Sequence, residues 1–179
     1  MEVKKVVIIG PECTGKSELA EYLAEEFHTV WVEEYARYYL PDLNRPYEQN
    51  DLSIIARGQL ALEDEMSDKA NKILICDTDL YVIKVWSNFK YGNCDPAILH
   101  EIATRKYDLY LLTYIDIPWV SDPLREHPDQ RDVLYSIYLE EMKKQPVPFV
   151  VISGSRAQRR QMARESVLKV LGQTPHKQS

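Results

Sequence analysis

An α/β fold, with a central and mainly parallel five-stranded sheet covered by helices on both faces, is what this sequence predicts, and two observations predict it. The first is a series of short apolar runs, Val6-Val7-Ile8-Ile9, Ile73-Leu74-Ile75-Cys76, Leu109-Tyr110-Leu111-Leu112 and Phe149-Val150-Val151-Ile152, separated by stretches of helical periodicity. Runs that are continuously apolar, and not alternating, belong to strands buried on both faces, which is the situation of a parallel sheet crossed over by helices. The second is the segment Gly10-Pro11-Glu12-Cys13-Thr14-Gly15-Lys16-Ser17, placed directly between the first apolar run and a helical pattern.

The elements follow in order. Val3 to Ile9 is rich in β-branched residues and stops at Gly10, which reads as a buried strand. Lys16 to Phe27 carries Leu19, Ala20, Leu23 and Ala24 at helical spacing. Thr29 to Val32 reads as the second strand. Asn50 to Ala70 reads as a long helix bearing Leu52, Ile55, Ala56, Gln59, Leu60 and Leu62, with Asn50 or Asp51 as its cap. The three later apolar runs supply the remaining strands, and Leu80 to Phe89 follows the third as a helical segment. Between Ile115 and Arg131 the pattern breaks into Pro118, Pro123 and Pro128 among charges, a composition that suits a mobile lid. Residues 1–172 are therefore expected to form one domain with a lid at about 115–131, and residues 173–179 a flexible tail.

Composition narrows the function. Hydrophobic residues at 45% and charged residues at 28% are those of a folded globular protein. With 22 Lys and Arg against 28 Asp and Glu, the net charge of -6 is the wrong sign for a protein that lives on nucleic acid. Cys13, Cys76 and Cys94 are too few and too scattered for a disulfide framework or a zinc site, which suggests reduced thiols in the cytoplasm. The first apolar run is too short for a membrane span or a secretory signal. His28, His100, His127 and His176 fall in unrelated segments and give no reason to expect a histidine-built metal site.

The glycine segment carries the chemistry. Gly, four residues, then Gly-Lys-Ser is the P-loop pattern, in which backbone N–H groups and a helix N-terminus converge on phosphate. The whole reading is thus a three-layer P-loop NTPase fold. Lys16 would reach the β- and γ-phosphates of ATP, and the Ser17 hydroxyl would take a position on Mg2+. Asp77, at the end of the third strand, is placed to share that metal. Asp79 lies two residues on, and for each aspartate the alternative to a role at the site is capping of Leu80 to Phe89. Cys13 reads as a small space-filler within the loop.

Four segments taken together resemble the ribosylnicotinamide kinase domain at the C-terminal end of the NadR proteins of bacterial NAD metabolism. They are Gly10 to Ser17, Glu34-Tyr35-Ala36-Arg37, Asp77-Thr78-Asp79, and the lid residues Trp119-Val120, Asp122, Leu124-Arg125, Pro128 and Arg131. The family more often has Ser where Cys13-Thr14 stand. NadR proteins carry further domains ahead of the kinase, whereas nine residues precede Gly10, so the resemblance implies a stand-alone kinase that makes nicotinamide mononucleotide from nicotinamide riboside, ATP and Mg2+.

It also implies roles. Catalysis would fall to Lys16, Glu34, Asp77, Asp79, Arg125 and Arg131, with the general base open among Glu34, Asp77 and Asp79. The nucleotide would lie on Gly10, Glu12, Cys13, Thr14, Gly15, Lys16 and Ser17, with Gly154, Ser155 and Arg159 against adenine. A cationic nucleoside calls for aromatic faces and ribose-binding carboxylates, for which Glu34, Tyr35, Arg37, Asp79, Trp86 and Trp119 are the candidates. Two rivals use the same residues: a P-loop kinase for another nucleoside or nucleotide, and an ATP-binding sensor without useful transfer.

Overall fold

The computed structural model describes residues 2–126 and 129–173. Pro128 of the expected lid, His127, His176 and the expected tail beyond Gln173 lie outside them. The chain runs β1 (Lys4–Ile9), α1 (Lys16–Glu26), β2 (Trp31–Val32), α2 (Ala36–Tyr39), α3 (Gln49–Lys69), β3 (Ile73–Asp77), α4 (Leu80–Tyr91), α5 (Pro96–Thr104), β4 (Leu109–Thr113), α6 (Arg131–Lys144), β5 (Phe149–Ile152) and α7 (Arg156–Val170).

The five strands form one sheet in the order β2-β3-β1-β4-β5, every pair parallel. β1 sits at the centre, with Val7 opposite Cys76 of β3 and Ile8 opposite Leu111 of β4. Because side chains alternate along a strand, each apolar run feeds two cores at once. Val6, Ile8, Ile73, Ile75, Leu109 and Leu111 pack on Leu19 and Leu23 of α1 and Ala163 and Val167 of α7. Val7, Ile9, Leu74, Cys76, Tyr110 and Leu112 pack on Val85 of α4 and Leu134, Tyr138 and Met142 of α6. A third cluster, including Ala36, Leu52, Ile55, Leu80, Ile83 and Ile98, joins α2, α3, α4 and α5 beside the sheet. The three-layer expectation is met.

Two expectations change. The second strand is two residues long, not four: at Thr29 the side-chain hydroxyl takes the place of ladder bonds, donating to the Ile73 carbonyl at 2.6 Å and accepting the Asn71 N–H at 2.9 Å. The long helix is capped by Glu48, ahead of both residues expected to do it. Asp51 is its third residue and reaches back to accept the Glu48 N–H at 2.7 Å, the reciprocal half of a capping box. The expected lid has neither helix nor strand among its described residues up to Gln130, and its last residue, Arg131, opens α6.

Candidate active site at the P-loop

The phosphate cradle is built where β1 ends. Gly10 has φ of 148°, and a Cβ there would lie 2.4 Å from Thr113 Oγ1 and 2.8 Å from the Thr113 carbonyl oxygen, so only glycine lets the loop pass the end of β4. Thr14 fastens the turn, donating to the Pro11 carbonyl at 2.8 Å and pairing with the Thr113 hydroxyl at 2.7 Å. Gly15, at φ 79°, caps α1 with no side chain on the helix end, which leaves the first-turn N–H groups directed at the loop mouth. Lys16 Nζ donates to the Pro11 carbonyl at 2.8 Å, folded across that mouth.

At the foot of the cradle, Ser17 Oγ donates to Asp77 Oδ2 at 2.5 Å. The other oxygen, Asp77 Oδ1, is buried and has no hydrogen-bond partner among the described residues. Burial pushes the Asp77 carboxyl above the usual carboxylate range and the negative Glu34 adds to it, against Lys16, the Ser17 hydroxyl and Arg37. An orphaned carboxylate oxygen beside a hydroxyl is a fitting donor set for a hard cation such as Mg2+, which takes few protein ligands and completes its shell with water and phosphate. No group of three or more His, Cys, Asp or Glu side chains is gathered for a metal among the described residues, so a closed protein cage is not the alternative.

Beside the cradle opens a cavity. The P-loop residues Gly10 to Cys13 and Lys16 form one side of it, and Val82, Val85, Trp86 and Phe89 of α4 with Leu134 and Tyr138 of α6 form an apolar wall. Glu34, Arg37 and Arg125 close the remaining side. A second, more open space runs over Gly15, Ser17 and Asp77, and the two share Cys13, Lys16, Glu34, Arg37 and Arg125. A largely apolar cavity and a phosphate cradle thus meet at a wall of four charged side chains, Lys16, Glu34, Arg37 and Arg125.

The sequence profile of the AAA domain family matches residues 5–159. The chain belongs to that family. It is similar to the trifunctional NAD biosynthesis/regulator protein NadR of Salmonella typhimurium, 30% identical over 154 residues, which is 83% of this chain and 38% of that protein. The NadR of Escherichia coli K12 is 32% identical over 127 residues, covering 69% of this chain and 31% of its own length. The chain therefore spans less than two-fifths of the curated relatives it matches. Among solved structures, NadR protein in complex with NR superposes with a TM-score of 0.85 at 22% identity, over 99% of this chain and 54% of that one. NadR with NAD and AMP-PNP gives 0.77 at 23%, over 99% and 52%, and deoxyadenosine kinase from M. mycoides with bound dCTP gives 0.59 at 15%, over 92% and 99%. The shared fold is that of P-loop nucleoside and nucleotide kinases.

Within this AAA domain most of the expected residues come together. Glu34 lies in both spaces and pairs with Arg37 at 3.3 Å, and Arg37 also faces Asp122 of the lid at 3.9 Å. Glu12 accepts the Glu126 N–H at 3.1 Å, which fastens the lid to the P-loop, and Arg125 bonds the Val120 carbonyl within the lid. Arg131 grips it from the other end, donating to the carbonyls of Cys13 at 3.1 Å and Ile117 at 2.9 Å, with its guanidinium 5.7 Å from the Trp119 ring centre. Cys13 is more than a spacer: its Sγ accepts the Val120 N–H at 3.2 Å.

Other expectations are corrected by placement. Asp79 is buried away from both spaces, where Oδ1 accepts the Tyr81 N–H at 2.9 Å as the cap of α4 and Oδ2 accepts the Tyr110 hydroxyl at 2.7 Å. Burial pushes its carboxyl up to about 7. Tyr35 packs its ring on Gly58, where a Cβ would come within 2.2 Å of it, and lies outside both spaces. Arg159 is 5% exposed, and its guanidinium donates to the carbonyls of Gly154 at 3.0 Å, Thr14 at 2.9 Å and Tyr114 at 2.9 Å and to Asp116. It is a clamp beneath the P-loop, with its N–H donors spent on protein groups. Ser155 spends its hydroxyl capping α7, and Gly154, at φ 92°, donates its N–H to Asp116. Trp119 and Arg131 line neither space, while Trp86 does line the cavity. Sequence reasoning missed the apolar wall of Val82, Val85, Phe89, Leu134 and Tyr138, whose only signal was helical spacing.

Proposed function

We propose that this domain is an ATP-dependent kinase that phosphorylates the 5′-hydroxyl of nicotinamide riboside, giving nicotinamide mononucleotide and ADP in NAD salvage. The observation that carries the reading is the junction of an aromatic-walled cavity with a P-loop cradle at Lys16, Glu34, Arg37 and Arg125. The NadR relatives, and the fold shared with NadR in complex with NR, support the choice of nucleoside.

Binding begins at the cradle, where backbone N–H groups and Lys16 hold the triphosphate and Lys16 exchanges the Pro11 carbonyl for phosphate oxygens. Ser17 and Asp77 would hold Mg2+, which supplies positive charge to the phosphates when bound. The apolar wall receives the base, and Trp86, which lines it, supplies an aromatic ring of the kind that attracts a pyridinium cation. Among Glu34, Asp77 and Asp79, Glu34 alone lines both spaces, so it orients the 5′-hydroxyl and accepts its proton as the oxygen bonds to the γ-phosphorus. The bond from that phosphorus to the β–γ bridging oxygen breaks and ADP leaves. Arg125 meets the charge that spreads over the phosphoryl oxygens.

The test is phosphate transfer from ATP and Mg2+ to nicotinamide riboside, with uridine, cytidine, deoxynucleosides and nucleoside monophosphates in parallel and each product identified by mass. Selective formation of nicotinamide mononucleotide is expected. Preference for another acceptor would remove the assignment to NAD salvage and keep the kinase, and ATP binding with no transfer would replace both by a sensor.

A further inference from the structure

Tyr47 lies between α2 and α3 and belongs to none of the groups assigned above. Its hydroxyl accepts the Trp86 indole N–H at 2.7 Å and donates to Glu126 Oε2 at 2.7 Å. Its ring meets Trp86 edge-on, with centroids 4.9 Å apart, and Lys90 Nζ stands 3.5 Å from the ring centre. Lys90 also faces Glu126 Oε1 at 3.8 Å. Glu126 is a lid residue, and its own N–H is the one that reaches Glu12 in the P-loop at 3.1 Å. One relay therefore runs from the cavity wall at Trp86, through the Tyr47 hydroxyl, to the lid at Glu126 and on to the phosphate cradle.

The relay has a direction built into its chemistry. An indole nitrogen can only donate, so the Tyr47 oxygen must accept from Trp86 and turn its proton to Glu126. Burial, then the hydrogen bond to Glu126, holds the phenol far above its ordinary pKa, so that it stays a donor at every working pH. A hydrogen bond to a carboxylate is the strong kind, and it sets the lid at a fixed distance from the wall that faces the nucleoside.

We propose that Tyr47 is a positioning residue that ties the lid to the acceptor wall at Trp86, so that seating of the nucleoside and covering of the phosphates occur together and water is kept from the transferring phosphoryl. The consequence for turnover rests on the kinase reading, whereas the tie between lid and wall does not.

Tyr47→Phe keeps the ring against Trp86 and Lys90 and removes the hydroxyl alone. Glu126→Ala removes the other end, and Glu126→Gln restores an acceptor. With the best nucleoside and ATP, the ratio of ADP formed to nucleoside phosphorylated should stay near one in the wild type, because closed sites exclude water, and rise roughly threefold or more in Tyr47→Phe and Glu126→Ala. The double variant should be no worse than either single one, and Glu126→Gln should recover most of the coupling, which a general loss of stability would not reproduce. Amide hydrogen exchange of residues 115–126 in the AMP-PNP complex should quicken roughly tenfold in Tyr47→Phe, the factor for one charge-assisted hydrogen bond. Wild-type exchange in Tyr47→Phe would overturn the proposal, as would additive effects of the two single variants on coupling. If the wild type transfers phosphate to no nucleoside, the kinase reading fails and the exchange measurement alone decides the tie.

Discussion

Replacing Arg159 by methionine separates two jobs for one residue, holding the protein together and holding the nucleotide. The guanidinium is buried and serves three carbonyls, those of Thr14, Tyr114 and Gly154, together with Asp116. Methionine fills much of the volume and satisfies none of them. A hydrogen bond from a charged donor contributes about 1.5–3 kcal/mol, but four in one network are not additive. Asp116 is 30% exposed and regains water, which discounts its share. Losing one partner of a buried charged network costs about 3–5 kcal/mol, so about 4 kcal/mol is the expected loss. At about 2–4 °C per kcal/mol for a domain of this size, Tm should fall by roughly 8–16 °C. Burial works to raise the Asp116 carboxyl but is outweighed by the Gly154 N–H and Arg159, which hold it below its ordinary value. The variant should let it rise. The assay is thermal unfolding without ligand, run beside the KM for ATP, with Arg159→Lys as an intermediate case. An unchanged Tm with a raised KM would refute the clamp and return Arg159 to the nucleotide.

Lys16→Ala should lower kcat/KM by about 10²–10³, the scale for one preorganised charge donor, while Tm stays within about 1 °C because the side chain faces the open loop mouth; a folded variant with normal turnover would remove the cradle assignment. Asp77→Asn should abolish turnover yet raise the Tm of the ligand-free protein at neutral pH, since it removes a carboxylate whose charging is opposed by burial and by Glu34; a fall in Tm would show that the charge is stabilising. Asp79 has an ordinary value of 3.8 and is pushed up to about 7 in the fold. The folded state thus holds a proton that the unfolded chain has released, and the stability this group contributes declines as pH rises from about 4 to about 7. Asp79→Asn keeps the cap and removes the titration, so the Tm difference between wild type and variant should shift by roughly 8–16 °C across that window, and a constant difference would refute the burial argument. Gly58→Ala should cost about 1–3 kcal/mol by driving a methyl into the Tyr35 ring, read as a fall in urea midpoint; a neutral effect would mean that the ring is free to turn toward ligand.

The residues that could be read in advance share a physical reason, and so do those that could not. A strand buried on both faces must be apolar at every position, so β1, β3, β4 and β5 stood out as runs, whereas β2, with Thr29 turned to side-chain hydrogen bonds, was overdrawn. The cradle is made of backbone, and backbone in unusual conformations demands glycine at fixed intervals; hence Gly10, Gly15, Lys16 and Ser17 were legible as one contiguous pattern. Asp77 was legible because a carboxylate at the end of a buried strand beside that loop has few other uses. Asp79 carries the same side chain two positions later, and what separates them is the Tyr110 hydroxyl, brought across from β4 by the sheet. Arg159 met Thr14 across 145 positions of sequence, and Tyr47 met Glu126 across 79, contacts that no local spacing announces. The apolar wall was hidden for another reason: Val85 belongs to the packed core and to the cavity at once, so helical periodicity cannot tell a core face from a binding face. The cradle is thus written in one loop because phosphate is recognised by main chain, while the lining of the adjoining cavity, the acceptor half on the proposed reading, is gathered from the start of α2, α4, α6 and the lid, because a nucleoside would be recognised by side-chain surfaces. Acceptor identity is for that reason the point on which a substrate panel, and not a motif, decides.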